Sequence, residues 1–238
     1  MQPRMGHLDQ AFHIFGYLKR NKRATLTFDA STVEWNEASF QQHDWGDFYQ
    51  DAKESIPPNA PTSLGSAVQM NCFVDADHAG NRVTWRSQTG ILIFLNRSPI
   101  IWFSKAQKTV ETSTFGSEFT ALRIADELLE SLRYKLRMFG IPLDGPANTF
   151  CDNTSVVTDS TQPASTLKKK HNSITYHRVC EAIAAKVIRL AWVHTNKNLA
   201  DLSMKPLPGP TLHALCEKIL YLFKEKEDVI EATISSTN

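Results

Sequence analysis

Apolar positions recur along the chain with two different periods, and the change of period marks out the elements. In residues 8–20, Leu8, Ala11, Phe12, Phe15 and Leu18 fall at helical spacing, and Lys19, Arg20, Lys22 and Arg23 follow, which predicts a short amphipathic helix with a basic C-terminal end. Residues 31–66 hold no stable period. They are polar and proline-containing, yet Trp35, Phe40, Trp45, Phe48 and Tyr49 are too many aromatics for a disordered linker, so a partly ordered connector is expected. Three β-rich runs follow at 69–77, 90–96 and 99–105, with a hairpin turn at Asn96 to Ser98, which predicts three antiparallel strands.

Thr112 or Ser113 then caps a long helix whose apolar face is Phe115, Phe119, Leu122, Leu129, Leu132, Leu136 and Phe139, ended by Gly140 and Pro142. A short strand is expected at 148–152, a polar helix or turn through Val156 and Val157, a basic loop at 168–171 and a helix carrying Tyr176, Val179, Cys180, Ile183 and Val187. A fifth strand at 189–195 leads into Asn198 and a short helix stopped by Pro206 and Pro208. The element order βββαβαβα predicts an α/β fold with a mixed sheet, three antiparallel strands and then two parallel ones, flanked by helices. The expected division is an extension at 1–68, a central domain at 69–208 and a C-terminal helix and tail at 209–238.

Composition narrows the function classes only slightly. With 238 residues, 42% of them hydrophobic, the chain can bury a sizeable core. A formal net charge of +1 advertises no nucleic acid, so any such surface must come from local clusters of Lys and Arg. Cys72, Cys151, Cys180 and Cys216 are widely spaced and form neither a disulfide framework nor a zinc-ligand pattern; reduced, half-buried thiols are expected. No apolar run approaches the roughly 18 residues that span a bilayer, and the start lacks a signal peptide, so a soluble, intracellular protein with no membrane partner is expected.

Acidic residues change the picture more. Asp75 lies in the first strand of the three, Glu118 near the start of the long helix, Asp152 at the end of the fourth strand and Asp201 at the opening of the last helix. Neighbouring strands lie about 4.8 Å apart, so if the first and fourth strands are neighbours, Asp75 and Asp152 can share one metal, and Glu118 and Asp201 close the ring. Converging carboxylates repel one another unless a divalent cation neutralises them, and hard oxygen ligands select Mg²⁺ or Mn²⁺. Two such ions about 4 Å apart can hold a scissile phosphate. Singly, each of these acids reads equally well as a cap or turn former.

Five blocks, FVDADHAG (73–80), WRSQTG (85–90), IIWFSKAQKTVETSTFGSEFTAL (100–122), FCDNTSVV (150–157) and LADLSMKPLP (199–208), resemble in order those of the ribonuclease H domain of Ty1/copia-type retrotransposons. The resemblance implies an RNase H-like fold and an endonuclease that hydrolyses the RNA strand of RNA–DNA hybrids with two Mg²⁺ or Mn²⁺ ions, in the service of reverse transcription. It carries the four metal ligands onto Asp75, Glu118, Asp152 and Asp201, and it makes His194 resemble the mobile His that assists product release or proton transfer. Asp77 shows the same strand face as Asp75, so the choice between them rests on the resemblance. His78 and Gly116 depart from the family pattern, which has Trp and a second acid there.

The resemblance further implies a parent polyprotein with a reverse transcriptase, acting in the cytoplasm within a virus-like particle and/or in the nucleus. The helix at 8–20 is similar to the segment joining the polymerase to RNase H, and no Tyr-x-Asp-Asp polymerase turn is present. Candidate hybrid contacts are Arg86, Ser87, Ser104, Lys105, Lys108, Ser117, Asn153, Lys168, Lys169 and Lys170, the bases for phosphates and the small polar groups for 2′-hydroxyls. Of Trp102 and Phe103, which alternate along the third strand, one is expected in the core and the other free to touch sugar or base. Two rivals are a catalytically silent connection or binding module and a DDE-type integrase core. The latter places its Glu after both Asp residues, whereas Glu118 lies between Asp75 and Asp152.

Overall fold

The computed structural model describes residues 4–41, 43–163, 165 and 172–221. Five strands form one sheet: β1 (Met70–Asp77), β2 (Gln88–Leu95), β3 (Ser98–Ala106), β4 (Ala147–Cys151) and β5 (Ile188–Trp192), in the order β3-β2-β1-β4-β5. β1, β2 and β3 are antiparallel, while β4 and β5 run parallel to β1. This is the mixed sheet expected of an RNase H-like fold. β1 is paired on both edges and covered on both faces, which is why it reads as a nearly continuous apolar run. Asn96 closes the β2–β3 hairpin in the left-handed region at φ 54°.

The helices are α1 (Met5–Arg20), α2 (Thr114–Met138), α3 (Thr154–Thr161), α4 (Ser173–Ala184) and α5 (Gly209–Cys216). α2 starts at Ser113, whose hydroxyl accepts from the Gly116 amide. It stops at Gly140, whose φ of +69° no side chain adopts cheaply, while the Ile141 amide reaches back to the Leu136 carbonyl at 2.9 Å. Its apolar stripe of Phe119, Leu122, Ala125 and Leu129 packs with Val179 and Cys180 of α4 against Cys72, Val74, Ile91 and Ile93 of the sheet. All four cysteines are free and buried, not half-buried, because β1, β4 and α4 place three of them among these apolar groups.

The opposite face of the sheet has an aromatic cover. Trp35 lies 4.4 Å from Phe150 between ring centroids, Phe40 lies 5.7 Å from the same ring, and Phe73 stacks on it at 5.0 Å. Polar contacts pin this strap. Trp35 Nε1 donates to Asn71 Oδ1 at 2.8 Å, Asn148 Nδ2 donates to the same oxygen, and Arg189 bridges Asn148 and Glu37 while lying over the Phe40 ring. Farther along, Glu54 accepts from Arg133 and Arg137 of α2.

The chain therefore divides differently from the expected borders at 68/69 and 208/209: one compact unit runs from Phe28 to Leu215, and Met1–Thr27 with Cys216 onward forms another. The aromatics of the connector and Glu54 draw residues 28–66 into the larger unit. The smaller unit contains α1, with Phe12 and Phe15 largely exposed, and a two-residue antiparallel ladder pairing Thr25 with Tyr221 and Leu26 with Leu220.

Candidate active site

At the C-terminal ends of β1 and β4, four separate elements deliver one carboxylate each. Asp75 enters from β1, which pairs directly with β4, and Asp152 follows immediately after β4. Glu118 lies in the first turns of α2, and Asp201 belongs to a 3-10 turn at Leu199–Ser203. Two local features bring that turn to the sheet. Asn198 Nδ2 donates to the Val74 carbonyl at 3.1 Å, next to Asp75, while Asn198 Oδ1 accepts from the Ala200 amide. Gly90, the β2 partner of Asp75, lies so close to the turn that a Cβ there would stand 2.6 Å from the Ala200 carbonyl oxygen, so only glycine fits.

Asp75 is 3% exposed and Asp201 is buried; Asp75 Oδ1 accepts from the Ala76 amide at 2.6 Å. Lys205 Nζ sits between the two acids, 2.6 Å from Asp75 Oδ2 and 2.7 Å from Asp201 Oδ1. Glu118 accepts from Asn153 Nδ2 at 3.1 Å and from the Cys151 thiol at 3.6 Å, and Asp152 Oδ2 accepts from the Thr195 hydroxyl at 2.8 Å. Glu118, Cys151 and Asp152 each place a ligand atom within 4.8 Å of the others.

The electrostatics follow from the crowding. Burial, the hydrogen bond with Asp201 and the charge of Asp152 push the Asp75 carboxyl up to about 8, against the pull of Lys205. Burial pushes Glu118 up to about 7; the Asn153 amide lowers it and the Asp152 charge raises it. Burial alone would depress Lys205, but its bonds to Asp201 and Asp75 raise it instead. The Cys151 thiol is held well above its usual range by burial and by Glu118, to which it donates.

This donor set fits hard divalent cations. Glu118 and Asp152 lie within 4.8 Å of each other, the charge of Asp152 is felt at Asp75, and Asp75 and Asp201 have drawn in the ammonium of Lys205 as positive charge.

Other candidate residues are distributed unevenly. His194 caps the 3-10 turn at Thr195–Lys197 through its Nδ1, beside Thr195, which holds Asp152, and it is exposed. Asn153 caps α3 and also binds Glu118, so it serves the carboxylate ring directly. Arg86, Lys105 and Lys108 are exposed, and so is Ser104, whose hydroxyl is tied to Gln88 and the Ser203 carbonyl. Ser87 and Ser117 are both buried, the first accepting from the Ala79 amide and the second donating to the Thr114 carbonyl. Lys168, Lys169 and Lys170 lie outside the described residues.

Trp102 is exposed while Phe103 packs on the core, which settles their alternation. Asp77 is half-buried and its carboxylate lies against the Gly80 backbone. A Cβ on Gly116 would stand 2.8 Å from the Glu111 carboxylate, so another acid fills the space beside it. Sequence reasoning missed Lys205, Asn198 and Thr195. Lys205 stands four residues after Asp201 inside a block already singled out, which is the spacing that puts two side chains on one helical face.

No family model matches the chain. In sequence it is similar to the retrovirus-related Pol polyproteins from transposons RE1 and RE2 of Arabidopsis thaliana, each 28% identical over 155 residues, and from transposon TNT 1-94 of Nicotiana tabacum, 28% identical over 156 residues. The RE1 and RE2 matches cover 65% of this chain and 11% of each relative; the TNT 1-94 match covers 66% and 12%. The chain thus spans about a tenth of the length of these relatives, which are Pol polyproteins of copia-type transposons.

Among solved structures it is similar to the N-terminal RNase H domain of a Mycobacterium tuberculosis protein, with a TM-score of 0.44 at 14% identity over 63% of this chain and 98% of that one. It is also similar to LC11-RNase H1 in complex with an RNA/DNA hybrid, with a TM-score of 0.42 at 16% identity over 63% and 94% of the two chains. Among the described residues no helix is long and apolar enough to cross a membrane.

Proposed function

We propose that this chain is the ribonuclease H module of a copia-type Pol polyprotein, an endonuclease that hydrolyses the RNA strand of RNA–DNA hybrids with divalent metal ions. The observation that carries this reading is the convergence of Asp75, Glu118, Asp152 and Asp201 from four elements onto one end of the sheet. Caps and turn formers do not converge, and a structural role does not call for burying Asp75 and Glu118 beside further acids that push their carboxyls up. Their order along the chain, with Glu118 between the two Asp residues, fits RNase H rather than a DDE integrase. The relatives being Pol polyproteins supports the parent context, in which the module follows a reverse transcriptase and works in the cytoplasm within a virus-like particle and/or in the nucleus.

In this reading the four acids hold two Mg²⁺ or Mn²⁺ ions. When bound, such ions supply an activated water and neutralise charge at the scissile phosphate. The protein's own share is positional. Asn198 and Gly90 fix the Asp201 turn against β1, Asn153 and Thr195 orient Glu118 and Asp152, and the rigid β1–β4 pair sets the spacing. Arg86, Lys105 and Lys108 bind phosphates of the hybrid, and exposed His194, on the chain that carries Thr195, moves protons or helps release product.

The test is cleavage of a hybrid labelled in its RNA strand, compared with single-stranded RNA and duplex DNA, with Mg²⁺, with Mn²⁺ and in chelator. RNA cut only in the hybrid and only with metal is expected. Full activity after exhaustive chelation, or no cleavage of hybrid under any ion, would overturn the reading.

A further inference from the structure

Lys205 is an unusual occupant of a carboxylate ring. Its ammonium lies within hydrogen-bond distance of two buried acids, and with Asp75 Oδ1 already bonded to the Ala76 amide, it satisfies the remaining oxygen of that side chain. Its backbone is fixed, since the Lys205 amide donates to the Asp201 carbonyl at 3.1 Å and Pro206 follows. Its side chain is not sealed in: 31% of it is exposed, against 3% for Asp75 and 6% for Asp201. A four-carbon stem with rotatable bonds and an open route to water can leave without moving the turn that carries it.

Resting on the metal-dependent reading above, we propose that Lys205 is an internal counter-ion that occupies the Asp75–Asp201 locus in the metal-free protein and is displaced when a divalent cation binds there. Asp75 Oδ2 and Asp201 Oδ1 are committed to the ammonium, and a dication and an ammonium repel each other too strongly to share them. The lysine holds the buried acids in place, and in exchange it makes cation entry a competition. A locus that is open only part of the time has its apparent affinity reduced by that fraction. Among the described residues no ammonium is bonded to Glu118 or Asp152, whose partners are an amide, a thiol and a hydroxyl.

The experiment uses the full chain without substrate. Mg²⁺ binding is measured by calorimetry for the wild type, Lys205→Met and Lys205→Arg, and melting temperatures are measured in chelator and in saturating Mg²⁺. Lys205→Met should melt earlier in chelator, regain most of the difference in Mg²⁺ and bind Mg²⁺ with a Kd about tenfold lower, as expected if the locus is open about a tenth of the time. Lys205→Arg, which keeps a cation in place, should bind no more tightly than wild type.

A second measurement needs no variant. Acylation of Lys205 in the wild type, read by mass spectrometry, should be slow in chelator and faster in Mg²⁺. Unchanged or weaker Mg²⁺ binding by Lys205→Met, or acylation indifferent to Mg²⁺, would overturn the proposal while leaving the nuclease reading intact. Absence of saturable Mg²⁺ binding by wild type and Lys205→Met alike would sink both.

Discussion

The two halves of the carboxylate ring are held by opposite means. Asp75 and Asp201 share an ammonium, so their charge is met from within the chain. Glu118 and Asp152 are held by an amide, a thiol and a hydroxyl, which orient oxygens without cancelling charge. Neutral donors leave a demand for positive charge that no ion pair among the described residues meets at this half. One half is thus self-compensated and exchangeable, and the other is preorganised and open.

The sharpest way to break this contrast is in the open half. Asp152→Asn keeps shape and the Thr195 contact but removes a charge, so hybrid cleavage should fall by about a thousandfold or more, roughly 4 kcal/mol of transition-state stabilisation, with circular dichroism and hybrid binding retained. Near-normal cleavage by a folded Asp152→Asn protein would take Asp152 out of the metal site.

In the compensated half, the contrast is between Asp75 and Asp77 on the same strand. Asp75→Asn should be nearly as damaging, whereas Asp77→Asn, which replaces a carboxylate lying against the Gly80 backbone, should stay within about tenfold of wild type. The opposite ranking in the same hybrid assay would shift the site by one pleat along β1.

Removing the neutral donors tests whether they orient or merely fill. Thr195→Val and Asn153→Ala should each weaken Mg²⁺ affinity or activity by about 10–100-fold, the usual cost of losing the group that aims a ligand, with little change in melting temperature for Thr195→Val at its exposed position. A large loss of stability without loss of metal affinity would make them packing residues.

The last contrast is the pH dependence of stability in chelator. Asp75 and Glu118 have folded values of about 8 and about 7, both above the unfolded values near 4. Between these limits the unfolded chain has released protons that the folded chain keeps, so stability is greatest at low pH and falls as pH rises toward about 8. Mg²⁺, which favours the ionised acids, should flatten this fall. Asp126, raised to about 7 by burial beneath Arg178 and outside the ring, should keep its share of the fall in either condition. Thermal melts between about pH 5 and 8, with and without Mg²⁺, read this difference. An identical slope in both would detach the metal from Asp75 and Glu118.

Much of the sheet was legible because period is a local property. The apolar runs of β1 and β2, the hairpin at Asn96 and the capped, glycine-stopped α2 all carry their signals within a few residues. The four acids were legible as a set because their blocks keep a recognisable order. Contacts made across the chain were not. Nothing local marks Asn198 as the anchor of the Asp201 turn, since its partner Val74 lies 124 positions away. Ser87 and Ser117 look like surface donors in sequence, yet both are buried, one accepting from a backbone amide and the other donating to a backbone carbonyl. Lys205 escaped notice because a lysine beside prolines resembles any solvated loop, and only the fold shows the two acids it faces.

The aromatic strap sets how far the compact unit can be trimmed from its N-terminal side. Phe73, Phe94 and Phe150 are buried, and Trp35 and Phe40, both contributed by the stretch ahead of the recognisable motifs, cover the Phe150 ring. A cut at residue 68 would keep all five motif blocks and still uncover that ring, creating an adhesive surface that invites aggregation. A shortened chain that keeps this face covered must therefore begin upstream of Asp29, whose carbonyl accepts from Ser98, so the strap stays with the sheet it protects.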